Sequence, residues 1–175
     1  MAGLAVVEAH TLGEGWLAVS RLILDEGADA SWDGAPTKEV ARLTLAVAEP
    51  DPDDALIREL GDPEWSAWMA RNFREPAAVA ELGNARSYAS RLADYAGAGR
   101  DQVAWVVERL RADRTRRDAT ITTFEPLADA SYIPCVSLLD FWLSDGRVEL
   151  VVYAHSLDFG KKAYRTLTFA SLRIA

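Results

Sequence analysis

The amino-acid sequence predicts a mixed α/β (α+β) protein, and three observations lead to that prediction. Apolar residues recur at helical spacing in several stretches, and runs typical of strands lie between those stretches. Near the end of the chain, Asp145-Gly146 separates two apolar runs, which is the strongest short-range signal for a β-hairpin. With 175 residues, half of them hydrophobic, the chain can bury a sizeable core, so we expect a single domain over residues 1–175.

Charge and cysteine content narrow the class of partner and the compartment. A formal net charge of −8 argues against a nucleic-acid partner, which would require a basic face. The N-terminus lacks the basic and then apolar pattern of a signal peptide, and no apolar run is long enough to cross a bilayer, so we expect no membrane partner. A single cysteine leaves no internal disulfide, as in a reducing compartment. We therefore expect a cytoplasmic protein.

Periodicity and stop signals assign the first half of the chain. One helical face carries Trp16, Val19, Ser20, Ile23 and Leu24. Gly27 is a natural stop for this helix. In order, we expect a helix over 15–26, a loop over 28–38, a strand over 40–47 and short helices over 54–60 and 63–73. The last of these helices carries Trp65, Trp68 and Met69, whose spacing is typical of core residues.

The second half alternates helix and strand up to the hairpin. In order, we expect a helix or loop over 76–99, a helix over 100–112, a strand over 118–124, hairpin strands over 136–143 and 148–153, and a helix over 161–175. The helix over 100–112 is the clearest, and its apolar stripe consists of Val103, Val106, Val107 and Leu110. In the last helix, the residues expected on one face are Ala163, Leu167, Ala170 and Ile174.

The hairpin is expected to bring a set of reactive side chains together. Cys135, directly after Pro134, lies at the start of the first strand, and His155, Ser156 and Asp158 follow the end of the second. Because a hairpin sets these two ends side by side, we expect a thiol, an imidazole, a hydroxyl and a carboxylate near one another. A lone cysteine is more often a small buried hydrophobic residue than a nucleophile, so the cluster by itself leaves both interpretations open.

A basic cluster follows the helix over 100–112. Its members are Arg109, Arg111, Arg114, Arg116 and Arg117. Basic residues at a helix C-terminus interact favourably with the helix dipole, so capping would explain them. In an acidic chain they also reverse the local sign of charge, which would suit the phosphate of a small molecule.

Taken in order, these motifs resemble those of the thymidylate synthase and pyrimidine nucleotide hydroxymethylase superfamily. The ordered set is Asp101-Gln102 at a helix start, Arg116-Arg117, a strand, Pro134-Cys135, the hairpin and Ser156-x-Asp158. The resemblance is dense from 88 to about 172 and looser over 15–50. It implies a layered thymidylate synthase-like fold with a large mixed sheet flanked by helices, and a homodimer in which two such sheets pack back to back.

The resemblance also implies a reaction. A one-carbon unit would pass from 5,10-methylenetetrahydrofolate to C5 of a pyrimidine nucleoside monophosphate, giving a methyl or a hydroxymethyl group. A thiolate that adds to C6 of the base makes C5 nucleophilic, and Cys135 matches that nucleophile. Arg116 and Arg117 match a pair that reaches across the dimer to the nucleotide phosphate. No metal is expected, because two histidines and one cysteine cannot build an ordinary zinc site.

Further site residues follow from the same match. Ser156 falls on a phosphate-binding serine, and Asp158 falls on an aspartate that supports the base or the folate ring. Tyr88 and Arg91 match a tyrosine and a basic residue that line the cleft. We assign Tyr88 and Asp158 to catalysis and Arg91 to substrate binding.

The chain also departs from the family pattern. His155 stands where the family usually has an arginine, and the loop at 31–34 lacks the family's phosphate-binding arginine. The position that reads the base edge is Thr166 without a gap or Arg165 with a one-residue gap, so cytosine and uracil both stay open. The family continues past residue 175, which favours a chain truncated at the C-terminus over a divergent short relative.

Three alternatives remain at the level of sequence. The first is the C5 transferase, with hydroxymethylase slightly favoured over methylase because the base- and phosphate-reading residues depart from the methylase set. The second is a non-catalytic relative that binds nucleotide or dimerises. The third is a structural α/β domain in which Cys135 only fills the core.

Overall fold

The computed structural model describes residues 3–130 and 132–170. These residues form two compact units, one over 3–66 and 158–170 and the other over 67–130 and 132–157. Helices and β-sheets occur in both units, so the predicted mixed α/β class is confirmed. The single domain stays a prediction. Within the described residues, no helix combines the length and the apolar composition needed to span a membrane.

The described part of the first unit contains four strands and three helices. Its elements are β1 (Ala5–Ala9), α1 (Leu12–Glu26), β2 (Ala28–Trp32), β3 (Ala35–Glu39), β4 (Leu43–Val47), α2 (Ala55–Leu60) and α6 (Ala163–Ala170). Both α2 and α6 contact α1. β1 pairs with β4 in parallel, and β2 pairs with β3 in an antiparallel hairpin. The boundary with the second unit falls within α3 (Pro63–Arg74).

The first helix starts earlier than predicted. Thr11 is its N-cap and forms a capping box with Glu14, which satisfies backbone donors at the helix start. The buried side of the helix therefore includes Leu12 as well as Trp16 and Val19. Leu24, predicted on the core face, is 68% exposed. The predicted strand over 40–47 is present but begins at residue 43.

The prediction of a loop over 28–38 is wrong, because this stretch forms the β2–β3 hairpin. Asp33 and Gly34 occupy its two-residue turn with φ of 48° and 77°. Asp-Gly accepts these positive φ values readily, as it does in the later hairpin. The flanking strands are mostly exposed and short of apolar residues, so they lack the alternation that would have revealed them.

The second unit is built on a three-stranded antiparallel sheet. Its elements are β5 (Ala78–Val79), β6 (Ala85–Arg86), α4 (Tyr88–Ala93), α5 (Gln102–Ala112), β7 (Ala119–Thr122), β8 (Val136–Ser144) and β9 (Arg147–Ala154). The sheet order is β7-β8-β9, and α5 packs on β7 and β8. Burial of Val106 and Leu110 against the sheet face that carries Ile121 and Phe141 forms the core.

The predicted hairpin is confirmed, with Asp145 and Gly146 at its turn (φ 48° and 77°). A β-bulge interrupts the register between Val136 and Leu138, so Ser137 is the extra residue. Bulges change the direction of a strand and often lie beside functional sites. This one lies two residues from Cys135.

The segment over 76–99, predicted as a helix or loop, also contains the paired strands β5 and β6. The remaining elements agree with the predictions in type, with shifts in burial. The short helices over 54–60 and 63–73 and the helix over 100–112 are present. Met69 is buried, whereas Trp65 and Trp68 are half-buried. In α6 the buried residues include Ala163, Tyr164, Thr166 and Phe169. Ile174, the Ala170 side chain and the end of the predicted helix lie outside the described residues.

Candidate active site

Cys135 lies at the start of β8, between two buried residues. Pro134 and Val136 are almost fully buried, whereas Cys135 itself is half-buried. The backbone N–H of His155 donates to the Cys135 carbonyl over 3.1 Å, which ties the end of β9 to the start of β8. The Ser156 Oγ lies 3.8 Å from the Cys135 Sγ. The two ends of the hairpin therefore meet, and a hydroxyl reaches the thiol.

The His155 ring turns to a different neighbour. Its Nδ1 lies 3.3 Å from the Oγ of Ser137, the bulged residue. Both His155 and Ser156 are exposed. The imidazole thus belongs to the same cluster, but its hydrogen-bond partner is the Ser137 hydroxyl rather than the Cys135 thiol.

Tyr88 supports the strand beside Cys135. Its hydroxyl accepts a hydrogen bond of 3.0 Å from the backbone N–H of Val136, and its ring stacks on Phe73 with centroids 4.3 Å apart. The Tyr88 N–H donates to the Oδ1 of Asn72 over 3.0 Å. Burial raises the pKa of Tyr88 far above its ordinary value and the neighbouring Cys135 adds to this, so the phenol is neutral at physiological pH.

Sequence reasoning missed Tyr132 as a site residue. Burial, the neighbouring Cys135 and a hydrogen bond with the Cys135 side chain raise the pKa of Tyr132 to about 12, while Arg91 opposes the shift. Tyr132 precedes the strand in an irregular segment, where no periodicity predicts the direction of a side chain. Its closeness to Cys135 along the chain was the one signal available.

Arg91 is almost completely buried, with 2% of its side chain exposed. It forms a two-pronged ion pair with Asp129, with distances of 2.8 Å and 2.7 Å. It also donates to the carbonyls of Thr123 (2.7 Å) and Arg86 (3.1 Å). Asp129 in turn accepts from the N–H of Glu125 over 2.8 Å, so the pair organises the turn after β7. The assignment of Arg91 to substrate binding stays a prediction.

A second ion pair extends this network. Arg86 donates to the nearly buried carboxylate of Glu125 over 2.9 Å. Burial would raise the pKa of Asp129, but the hydrogen bond from Arg91 and the N–H of Glu125 hold it below its ordinary value. The two nearly buried carboxylates, Glu125 and Asp129, are therefore each paired with an arginine. Sequence reasoning found Arg91 but neither of the two carboxylates.

Arg116 and Arg117 lie in the turn between α5 and β7. The Arg116 Nε donates to Asp118 over 2.7 Å, and Arg109 pairs with the same carboxylate. Arg117 is exposed and donates to the carbonyls of Thr115 and Arg116 within the turn. The hydrogen bond from Arg116 holds the pKa of Asp118 well below its usual range, with support from Arg109. The Arg117 side chain is exposed, whereas Arg116 is half-buried and two of its guanidinium nitrogens donate to Asp118.

Asp158 and Thr166 belong to the first unit. The Asp158 Oδ1 accepts from the N–H groups of Gly160 and Lys161, over 3.0 Å and 3.1 Å, and so orders the turn that leads into α6. Thr166 is buried, and its hydroxyl donates to the Lys162 carbonyl within the helix. Among the described residues, no cluster of three or more His, Cys, Asp or Glu side chains could hold a metal ion.

Comparison with known proteins assigns the family. The family model described as thymidylate synthase matches residues 45–164. A relative from Methanococcoides burtonii, named "Putative thymidylate synthase", is 28% identical over 162 residues, which cover 88% of this chain and 71% of the relative. Relatives of the same name from Methanosarcina acetivorans and Methanopyrus kandleri are also 28% identical, over 89% of this chain and 71% and 75% of their own lengths.

A family match over more than half of the chain, on a mixed α/β scaffold, is sufficient for classification. The chain belongs to the thymidylate synthase family. Membership confirms the resemblance found in the sequence, and it suggests a transferase that acts at C5 of a pyrimidine.

Proposed function

We propose that this protein transfers a one-carbon unit to C5 of a pyrimidine nucleoside monophosphate through a covalent bond between Cys135 and C6 of the base. The observation that carries the proposal is the half-buried Cys135 thiol, which has the Ser156 hydroxyl 3.8 Å away in a chain of the thymidylate synthase family. A thiol that served only as packing would be expected to be fully buried among apolar atoms.

In the proposed first step, the Cys135 thiolate forms the S–C6 bond. The π electrons of the C5–C6 bond move towards the C4 substituent, which leaves an enolate or enamine with C5 nucleophilic. After substitution at C5 and loss of the C5 proton, the S–C6 bond breaks and the thiolate is restored. Tyr88 is proposed to act at this centre, because its hydroxyl is anchored to the residue after Cys135.

The phosphate of the substrate is assigned to the arginines of the α5–β7 turn. Arg116 and Arg117 are proposed to bind it with charge-assisted hydrogen bonds, and Ser156 and His155 are proposed to add donors beside Cys135. Thr166 or Arg165 is proposed at the base edge. A hydroxymethyl product is slightly favoured over a methyl product, because His155 and Thr166 depart from the methylase pattern.

A homodimer in the cytoplasm is part of the proposal. One face of the β8–β9 hairpin carries Leu138, Trp142, Val151 and Tyr153, with Asp140 and Glu149 between them. Val151 and Tyr153 are 51% and 61% exposed, so this face offers exposed apolar side chains to a second copy of the chain. Light scattering at micromolar concentration is expected to report a dimer, and a monomer would contradict a site shared between subunits.

The family also implies methylenetetrahydrofolate, which combines aromatic rings with an anionic tail. In the first unit, the ammonium groups of Lys161 and Lys162 lie 6.0 Å and 5.0 Å from the Trp65 ring centre, so two cations adjoin an aromatic surface. These groups fit the cofactor, and we assign them to it together with Asp158. When bound, the cofactor supplies the one-carbon unit.

Tritium release from C5-labelled CMP, dCMP, UMP and dUMP tests the function. Exchange at C5 requires thiolate addition at C6 but not completed transfer, so it is measured with and without methylenetetrahydrofolate. Release from one nucleotide that disappears in Cys135→Ala is expected, and it would identify the base and the sugar together. No release from any nucleotide, or release that persists in Cys135→Ala, would contradict the proposal. In the first case, retained nucleotide binding by calorimetry would indicate a non-catalytic relative.

A further inference from the structure

We propose that Asp118 is a positioning residue of the phosphate site: it holds one edge of the Arg116 guanidinium and leaves another edge free to bind the phosphate of the substrate. The inference rests on the proposed function, because it requires that Arg116 binds this phosphate. It deepens that function by giving a role to the carboxylate that follows the two adjacent arginines.

The contact between Arg116 and Asp118 is two-pronged. The Arg116 Nε donates to the Asp118 Oδ1 over 2.7 Å, and the Arg116 Nη2 donates to the Oδ2. A guanidinium has five N–H donors in a fixed planar fork, so three of them remain, two on Nη1 and one on Nη2. None of the hydrogen bonds found among the described residues involves the Arg116 Nη1. The edge formed by Nη1 and Nη2 can therefore contact two oxygens of a phosphate.

Asp118 is itself held by a second arginine. Arg109 on α5 also donates to the Asp118 Oδ2, and the Arg109 guanidinium lies 4.6 Å from the centre of the Trp105 ring. An arginine that stacks on an aromatic ring and pairs with a carboxylate is restricted at both contacts. The orientation of Arg116 is therefore fixed from helix α5, through Arg109 and Asp118.

Asp118 does not cancel the attraction for a phosphate. Residues 109–118 include five arginines and two aspartates, so this stretch keeps a net charge of +3. The hydrogen bond from Arg116 holds the pKa of Asp118 well below its usual range, so the carboxylate stays charged and the pair persists at neutral pH.

The exposure of the pair favours a role in binding over a role in folding. The side chains of Arg116 and Asp118 are 32% and 55% exposed. Ion pairs that water reaches in this way contribute little to the free energy of unfolding, because solvent screens the two charges. The same pair still fixes the direction of a guanidinium, which reduces the entropy lost when a ligand binds to it.

Isothermal titration calorimetry with CMP, dCMP, UMP and dUMP tests this role in the full chain. In Asp118→Ala, the Arg116 side chain has to be ordered when the phosphate binds, so the affinity for the nucleotide should fall about two- to tenfold. The loss should disappear when Asp118→Ala is combined with Arg116→Ala, because the carboxylate then has no guanidinium to orient. Asp118→Asn keeps one acceptor for Arg116 and should lose less, and it provides the same test if Asp118→Ala does not fold.

Asp113→Asn is the matched control, since it removes a carboxylate charge from the same turn and keeps the acceptor for Thr115. It should not lower the affinity. Circular dichroism establishes that each variant is folded. An unchanged or tighter affinity in folded Asp118→Ala would overturn the inference, because a carboxylate that only competes with the phosphate gives that result. An equal loss with and without Arg116 would also overturn it, since that outcome indicates a structural role.

The failure of this inference differs from the failure of the proposed function. Tritium release by the unchanged protein, combined with an unchanged affinity in Asp118→Ala, would overturn the role of Asp118 and leave the C5 chemistry in place. A loss of affinity that depends on Arg116, without tritium release from any nucleotide, would support the role of Asp118 and overturn the C5 chemistry. The absence of nucleotide binding in the unchanged protein would overturn both.

Discussion

The hydroxyl of Tyr88 accepts a hydrogen bond of 3.0 Å from the backbone N–H of Val136, the residue that follows Cys135. The contact joins the first residue of α4 to the first residue of β8, which are 48 positions apart in the chain. Because Val136 is 1% exposed, its N–H has no access to solvent and depends on this acceptor. The position of the proposed nucleophile is thus coupled to the helix that carries Arg91.

Replacement of Tyr88 by Phe should test this coupling. The variant keeps the ring that stacks on Phe73 but leaves the Val136 N–H without its acceptor. We expect the free energy of unfolding to fall by about 1–3 kcal/mol, the usual cost of an unsatisfied buried donor. Urea denaturation measures the change against the unchanged protein. An equal free energy of unfolding in the two proteins would show that the hydrogen bond is dispensable.

The Arg91–Asp129 pair should be more important for stability. Arg91→Ala leaves a buried carboxylate without its partner, which typically costs about 3–5 kcal/mol. Arg91→Lys keeps the charge but cannot make the two-pronged contact, so it should also destabilise the protein, by less. Urea denaturation checks both variants against Arg21→Ala, which changes an exposed arginine on α1. A loss no larger than that of Arg21→Ala would contradict the assigned role.

Acid should weaken folding through two buried carboxyl groups, Asp54 and Asp129. Burial would raise the pKa of each carboxyl group, but hydrogen bonds hold both pKa values below the ordinary value of 3.8. The donor is the Gly13 N–H for Asp54 and the Arg91 guanidinium for Asp129. A folded-state pKa below that of the unfolded chain contributes stability that is present above about pH 4 and is lost as the pH falls through the folded-state value. Urea denaturation between pH 7 and pH 3 should show this loss.

Asp129→Asn is the variant that isolates one of these groups. It removes the titrating carboxylate and should make the decline in stability below pH 4 shallower than in the unchanged protein. Identical slopes would mean that Asp129 does not contribute to the acid sensitivity.

The two adjacent arginines of the α5–β7 turn should affect binding more than folding. If Arg116 and Arg117 bind the substrate phosphate, each Ala variant should weaken nucleotide affinity by about ten- to a hundredfold, because charge-assisted hydrogen bonds are lost. Isothermal titration calorimetry measures the affinity. Arg114→Ala, in the same turn and also exposed, is the matched control and should leave it unchanged. Equal effects of all three variants would indicate non-specific attraction.

Gly13 on α1 lies close to the start of α2, so a methyl group added at Gly13 should destabilise the first unit. Gly13 donates its N–H to Asp54 over 2.9 Å, and a Cβ at Gly13 would contact the Asp54 carboxylate and lie 2.6 Å from the Leu56 Cβ. Gly13→Ala should therefore cost about 1–3 kcal/mol through overpacking. Thermal unfolding checks this against Gly3→Ala, where an added Cβ meets no atom within 4 Å. Equal melting temperatures of the two variants would mean that α1 and α2 move apart without a loss of stability.

Local patterns accounted for much of the second unit. The turn at Asp145-Gly146 and the helix α5 were predictable because turn residues and helical periodicity act over a few positions. Within the predicted apolar stripe, Val106 and Leu110 are buried, whereas Val103 is 37% exposed. The meeting of Cys135 and Ser156 followed from the hairpin alone. The β2–β3 hairpin was missed, although Asp33-Gly34 carries the same turn signal, because its strands are mostly exposed and need no apolar alternation.

Local sequence patterns were sufficient for the hairpin, for the place of Cys135 at its open end, and for the ordered motifs by which the chain resembles its family. The pairing of Arg91 with Asp129, 38 positions away, and the hydrogen bond from the Val136 N–H to the Tyr88 hydroxyl became visible only in the folded chain. The difference lies in the distance along the chain over which each interaction acts. Turn chemistry and periodicity are properties of neighbouring residues, whereas a buried ion pair forms between whichever groups the packed core brings within hydrogen-bond distance.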